Sequence, residues 1–181
     1  MNQNLIGKLF LPVLFIAGIQ SVDAQFKTNE AKEFNSKKER LIEKEIIEIG
    51  NFKDLSFQKI IMKDLTEEAS TLNLLGIMSF HETFNSISKR TVTLEKEDLV
   101  KLIDAAVQIE KKSNAKPQNE VKYKYVTQNG IEIGSYYNPT SQIWGNYLDL
   151  SSRISHLGII KFSRNELIEL IQLLKSAESQ L

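Results

Sequence analysis

The chain has no cysteine, which removes several classes of chemistry at once. Disulfides, thiolate catalysis and cysteine-ligated zinc are excluded, as is a lipid-modified cysteine after a signal peptide. A small domain without crosslinks must be held by its core alone. Histidine is nearly as scarce. His81 and His156 are the only two, and neither belongs to an H-x-x-x-H or H-E-x-x-H pattern. No metal site and no cofactor is therefore expected. The chain also lacks a G-x-S-x-G elbow, a P-loop and a G-x-G-x-x-G turn, so nothing supports nucleophile-elbow hydrolases or the main nucleotide folds. Acidic residues are scattered among lysines, and no carboxylate pair stands out as catalytic. A surplus of charge is missing too: 23 Lys+Arg balance 23 Asp+Glu. Nucleic acid is thus not an expected partner, because phosphate backbones call for a basic surplus.

Long hydrophobic runs are absent. The longest apolar stretch, Leu9 to Ile19, is interrupted only by Pro12. A bilayer-spanning helix needs roughly 20 such residues. Lys8 precedes this run, and the small, polar Gln20-Ser21-Val22-Asp23-Ala24 follows it. That order is a cleavable secretory signal over 1–24, with the mature chain starting at Gln25. The expectation is an exported protein, periplasmic or secreted and not a lipoprotein, with no transmembrane segment after cleavage.

Residues 25–44 alternate charges with few large apolar residues and read as a solvated leader. Residues 45–181 read as a single α+β domain of two pseudo-repeats, 45–112 and 119–181. Each repeat is three strands closed by an amphipathic helix, with a short β-like stretch just before the helix. The first repeat has strands near 44–49, at 57–63 and at 72–80. Leu99, Leu102, Ile103, Ala106 and Ile109 then fall at helical spacing. In the second, Leu167, Leu170, Ile171 and Leu174 do the same. The two helices align at an offset of 68 residues, with identities at Leu99/Leu167, Leu102/Leu170 and Ile103/Ile171. Ser163 with Glu166 has the form of a capping box at the second helix start. The expected architecture is one antiparallel sheet built jointly by both units, with both helices on one face. A linker over 112–118 separates the units.

The second unit carries a strong hairpin signal. Val121-Lys122-Tyr123-Lys124-Tyr125-Val126-Thr127 alternates apolar and charged, and Asn129-Gly130 follows. A two-residue type I′ turn at Asn129-Gly130 would set Tyr125 opposite Gly134 and Tyr123 opposite Tyr136. Tyr123, Tyr125 and Tyr136 would then share one face, and Val126, Ile133 and Tyr137 the other. All five tyrosines and the single tryptophan lie within 123–147. Aromatics pair well in strands, and they also give rigid binding area with a polar edge. Tyr123, Tyr125, Tyr136 and Trp144 are the candidate ligand-contacting residues, for a glycan, a peptide or an envelope protein. No catalytic residue is nominated.

The Asp23-Ala24-Gln25 end of the signal and the Phe162-Ser163-x-x-Glu166-Leu167 strand end resemble uncharacterised exported proteins of Bacteroidota-type bacteria. The resemblance covers most of the chain. It implies an envelope or secreted location and carries no functional residue across. The leading functional expectation is a non-enzymatic binding or interaction domain of the cell envelope. A structural or assembly role comes second, and a hydrolase of envelope polymers third.

Overall fold

A computed structural model describes residues 40–66, 70–83, 86–150 and 159–181. The expected signal peptide over 1–24 and residues 25–39 of the expected leader lie outside them. Strands β1 (Ile42–Phe52), β2 (Leu55–Asp64), β3 (Thr71–Thr83) and β4 (Ser86–Leu94) form an antiparallel meander, followed by helix α1 (Lys96–Lys112). Strands β5 (Val121–Val126), β6 (Glu132–Asn138), β7 (Ile143–Asp149) and β8 (Ile159–Phe162) form a second, followed by helix α2 (Arg164–Gln180). The protein is α+β, with antiparallel strands and a helix after each strand group, as the residue pattern implies. No helix among the described residues is long and apolar enough to cross a membrane.

Two details differ from expectation. Each unit has four strands, because the β-like stretch before each helix pairs with the meander. The meanders also form two sheets and not one shared sheet. The units join through their apolar faces and the helices between them, not through strand edges. The helices fill the space between: α1 packs on β5, β6 and β3, and α2 on β1, β2 and β7. One apolar cluster runs from Phe57, Leu75 and Ile77 of the first sheet, through both helices, to Ile133 and Leu148 of the second.

The repeat is visible in the structure. Both helices have 17 residues and start and stop at the same 68-residue offset. Leu99, Leu102, Ile103 and Ala106 are buried in α1, and Leu167, Leu170, Ile171 and Leu174 in α2. β1 starts at Ile42, inside the segment read as leader, because its ladder with β2 continues to Ile42 opposite Asp64. The alternating charges there pair across the ladder, with Lys63 Nζ 3.2 Å from a Glu43 carboxylate oxygen. A smaller cluster of Ile60, Met62 and Leu74 lies apart from the main core. The alternate residues Phe57, Leu75 and Ile77 belong to the main core. These strands are thus apolar on both faces, which is why their pattern shows no clean alternation.

Each helix start is clasped by a hairpin of the other unit. At α2, the Ser163 N–H donates to Glu166 Oε2 (2.6 Å), completing the capping box. Lys53, in the β1–β2 turn at φ 50°, reaches the same carboxylate at 2.8 Å. Phe52 meets Phe162 edge to face, with ring centroids 5.4 Å apart. At the equivalent place in the other unit, Asn129 of the β5–β6 turn donates to the Thr93 carbonyl just before α1 (2.8 Å). The hydrogen bond from Lys53, and then those from Ser163, hold the Glu166 carboxyl down at about 2. A depressed carboxylate favours folding above its ordinary pKa, and that contribution fades as pH falls toward about 2.

Leu102 is fully buried between the two sheets. Truncation to alanine is expected to cost about 2–5 kcal/mol, the range for a buried leucine. Urea unfolding of Leu102→Ala followed by circular dichroism measures it, and an unchanged midpoint would contradict the packing.

Candidate functional site

The hairpin register decides which aromatic faces what. The Thr127 N–H donates to the Ile131 carbonyl (2.9 Å), and the Gly130 N–H to the Thr127 carbonyl (3.0 Å). Gly130 alone in this turn has positive φ, at 84°. The loop is therefore a three-residue turn closed by a glycine bulge, not the two-residue type I′ turn that Asn-Gly suggests. A type I′ turn needs positive φ at both central residues, and Asn129 does not supply it. The Thr127 hydroxyl also accepts from the Ile131 N–H (3.0 Å), which favours the longer loop.

This moves the register by one residue. Tyr125 faces Ile133, Lys124 faces Gly134, Tyr123 faces Ser135 and Lys122 faces Tyr136. Tyr123 and Tyr125 consequently share a face with Ile133 and Tyr137, and Tyr136 lies on the opposite one. The expected grouping of Tyr123, Tyr125 and Tyr136 is corrected: a one-residue slip moves every side chain across the sheet. The glycine pairings change as well. Tyr147 covers Gly134 and Tyr136 covers Gly145, each across the β6–β7 ladder. A Cβ at either glycine would collide with the ring, so two tyrosines lie flat on the outer face.

Of the four candidates, three come together on the helix side. Tyr123 stacks on Trp144, with centroids 5.6 Å apart and planes 14° from parallel. Tyr137 tilts against the same indole at 5.2 Å. The indole N–H donates to the Ala115 carbonyl in the linker (2.8 Å). Tyr125 lies two residues along β5 on the same face. Tyr136, on the far face, does not join them.

β5 is the edge of its sheet, and α1 covers the sheet only up to this edge. Between them lies a groove of about 360 Å³ lined by Lys101, Asp104, Ala105, Gln108, Ile109 and Lys112 of α1. The opposite wall is Tyr123, Lys124 and Tyr125. The α1 residues follow helical spacing along one stripe, beside the stripe that faces the core. Lys112 stands over the Tyr123 ring, its nitrogen 5.5 Å from the centroid. Burial, and then the nearby Asp98 carboxylate, push the Tyr125 hydroxyl above its ordinary pKa of 10.0. It stays a neutral donor and acceptor at physiological pH.

The strand edge carries further polar groups. Because Thr127 and Ile131 form a hydrogen-bonded pair, alternation along an antiparallel ladder makes Tyr125, Tyr123 and Val121 bond to β6. The backbone N–H and C=O groups of Lys122, Lys124 and Val126 then point outward, past the edge.

Sequence reasoning nominated the tyrosines and missed the α1 wall. The only signal for Lys101, Asp104, Gln108 and Lys112 was their three- and four-residue spacing, which ordinarily marks a solvated helix face. Neither a family model, nor a curated protein, nor a solved structure matches this chain.

Trp144 is half-buried beneath Tyr123 and is the only tryptophan. Its emission should be blue-shifted and partly protected from acrylamide. In Tyr123→Ala the indole loses its stacked ring, and quenching should rise. Equal quenching in both proteins would contradict the stack.

Proposed function

We propose that the exported chain is a non-enzymatic binding module of the bacterial cell envelope, with its ligand in the groove between α1 and β5. One observation carries this reading: Tyr123 and Tyr125 lie side by side in an open groove edged by Lys101, Lys112 and Lys124. Ligand sites are commonly concave, of 300–1,000 Å³, with apolar and aromatic walls and a few placed polar groups. The groove matches in volume and in its aromatic β5 wall, while its α1 wall sets Ala105 and Ile109 among polar and charged side chains. Its walls also belong to rigid elements: Tyr123 and Tyr125 are fixed in a four-stranded sheet, and α1 is anchored by its buried leucines. A preformed site loses little order on binding. The signal segment at 1–24 supports the envelope as the place where the ligand is met, and the cysteine-free composition suits any redox state found there.

The reading is tested by screening the chain from Gln25 to Leu181 against peptides and oligosaccharides by titration calorimetry, then repeating the best binder with two variants. Tyr125→Ala should weaken binding by roughly tenfold or more, as expected of an aromatic anchor. Tyr136→Ala, on the opposite face, should leave it unchanged. Equal loss in both, or loss only in Tyr136→Ala, would contradict the assignment.

A further inference from the structure

We propose that this groove takes an extended acidic polypeptide, which adds to the outer edge of β5 as a fifth strand of the second sheet. The inference rests on the groove being the binding site and names what fills it.

The first argument is the backbone. A β-strand edge presents unpaired N–H and C=O groups, a template for another strand. At β5 these belong to Lys122, Lys124 and Val126, and no described residue hydrogen-bonds to them. Another extended polypeptide supplies matching donors and acceptors at the same repeat. The second argument is reach. The α1 wall from Lys101 to Lys112 is about 16 Å long at 1.5 Å per residue. β5, with six residues, spans about 20 Å at 3.3 Å per residue. The groove itself joins Lys101 to Lys112 of α1 with Tyr123 to Tyr125 of β5, and Lys112 stands over the Tyr123 ring at one end.

Side-chain alternation gives the third argument. In an added strand, residues opposite Tyr123 and Tyr125 point to the same face as those rings, into the groove against Ala105 and Ile109. Residues opposite Lys122 and Lys124 point to the outer face. Both sides meet positive charge. Lys101 and Lys112 border the groove, with Asp104 as the one acid lining it. Lys122 and Lys124 lie on the outer face with Glu132. Lys101 is 3.9 Å from Asp98 and Lys124 is 3.4 Å from Glu132. The lysine side chains of both pairs are more than half exposed, so these contacts are weak and leave the ammonium groups available. Acidic side chains at either of the alternating positions complement this edge, and basic ones are repelled.

The test uses a capped ten-residue peptide of alternating Glu and Val, and the same peptide with Lys in place of Glu. Binding to the chain from Gln25 to Leu181 is read by titration calorimetry and by amide exchange in two-dimensional NMR. The acidic peptide should bind at least about tenfold more tightly than the basic one, a difference of about 1.4 kcal/mol. It should also slow exchange of the Lys124 and Val126 amides. Lys124→Pro removes an outward N–H without touching the β5–β6 ladder, a change that edge strands tolerate. It should abolish binding, whereas Lys124→Ala should reduce it only a few-fold. The double variant Lys101→Glu, Lys112→Glu should erase the preference for the acidic peptide, and this result does not depend on how well Lys124→Pro folds. If the acidic peptide binds, is lost in Tyr125→Ala, and is indifferent to Lys124→Pro, strand addition is overturned and the groove stands. Binding indifferent to both Tyr125→Ala and Lys124→Pro overturns the groove as well. No preference for the acidic peptide over the basic one overturns the acidic specificity.

Discussion

Among the described residues, two helices provide the apolar layer that both sheets share, and the rest of the fold depends on it. Each sheet alone would leave one face of leucine, isoleucine and phenylalanine in water. Apolar area removed from water contributes about 25 cal/mol per Å², and neither meander can bury its inner face against itself. The helices solve this together. Leu99, Leu102 and Ile103 on one, and Leu167, Leu170 and Ile171 on the other, sit in a single cluster with residues of both sheets. The clasps between hairpin turns and opposite helix starts follow from the same arrangement. Lys53 can reach Glu166, and Asn129 can reach Thr93, because each unit's helix lies across the other unit's sheet.

The groove is a by-product of that layer. A helix is narrower than a four-stranded sheet, and α1 reaches the second sheet only as far as its edge strand β5. That margin falls on β5, where Tyr123 and Tyr125 are half-buried and no described residue bonds to the outer backbone groups. Edge strands are commonly guarded by charge, and Lys122 and Lys124 serve that role against self-pairing. On the proposed reading, the same lysines, with Lys101 and Lys112 across the groove, make the edge selective in the sign of charge it admits. Protection and recognition thus use the same residues.

Much of the fold was legible in the residues, because the signals were periodic. Both helices, the capping box at Ser163, the 68-residue repeat and the segment from Ile159 to Phe162 follow from spacing alone. What spacing could not convey was the partition into two sheets, since antiparallel meanders joined by faces or by edges have the same local pattern. The hairpin register was misread for a local reason: Asn129-Gly130 admits either a two-residue or a three-residue loop, and the Thr127 hydroxyl favours the longer. That single residue placed Tyr136 on the wrong face. The α1 wall of the groove was invisible because a stripe of lysine, aspartate and glutamine on a helix looks the same whether it faces water or a ligand.

The claim on which the account stands is that one core serves both units. It is tested most directly by expressing residues 40–118 and 119–181 as separate chains and following each by circular dichroism and urea titration. Domains of such size bury only about 60% of their unfolded surface even when their cores are complete. Neither fragment should unfold cooperatively alone, and mixing them should restore helix content and the protected emission of Trp144. A cooperative transition in either fragment by itself would contradict a shared core.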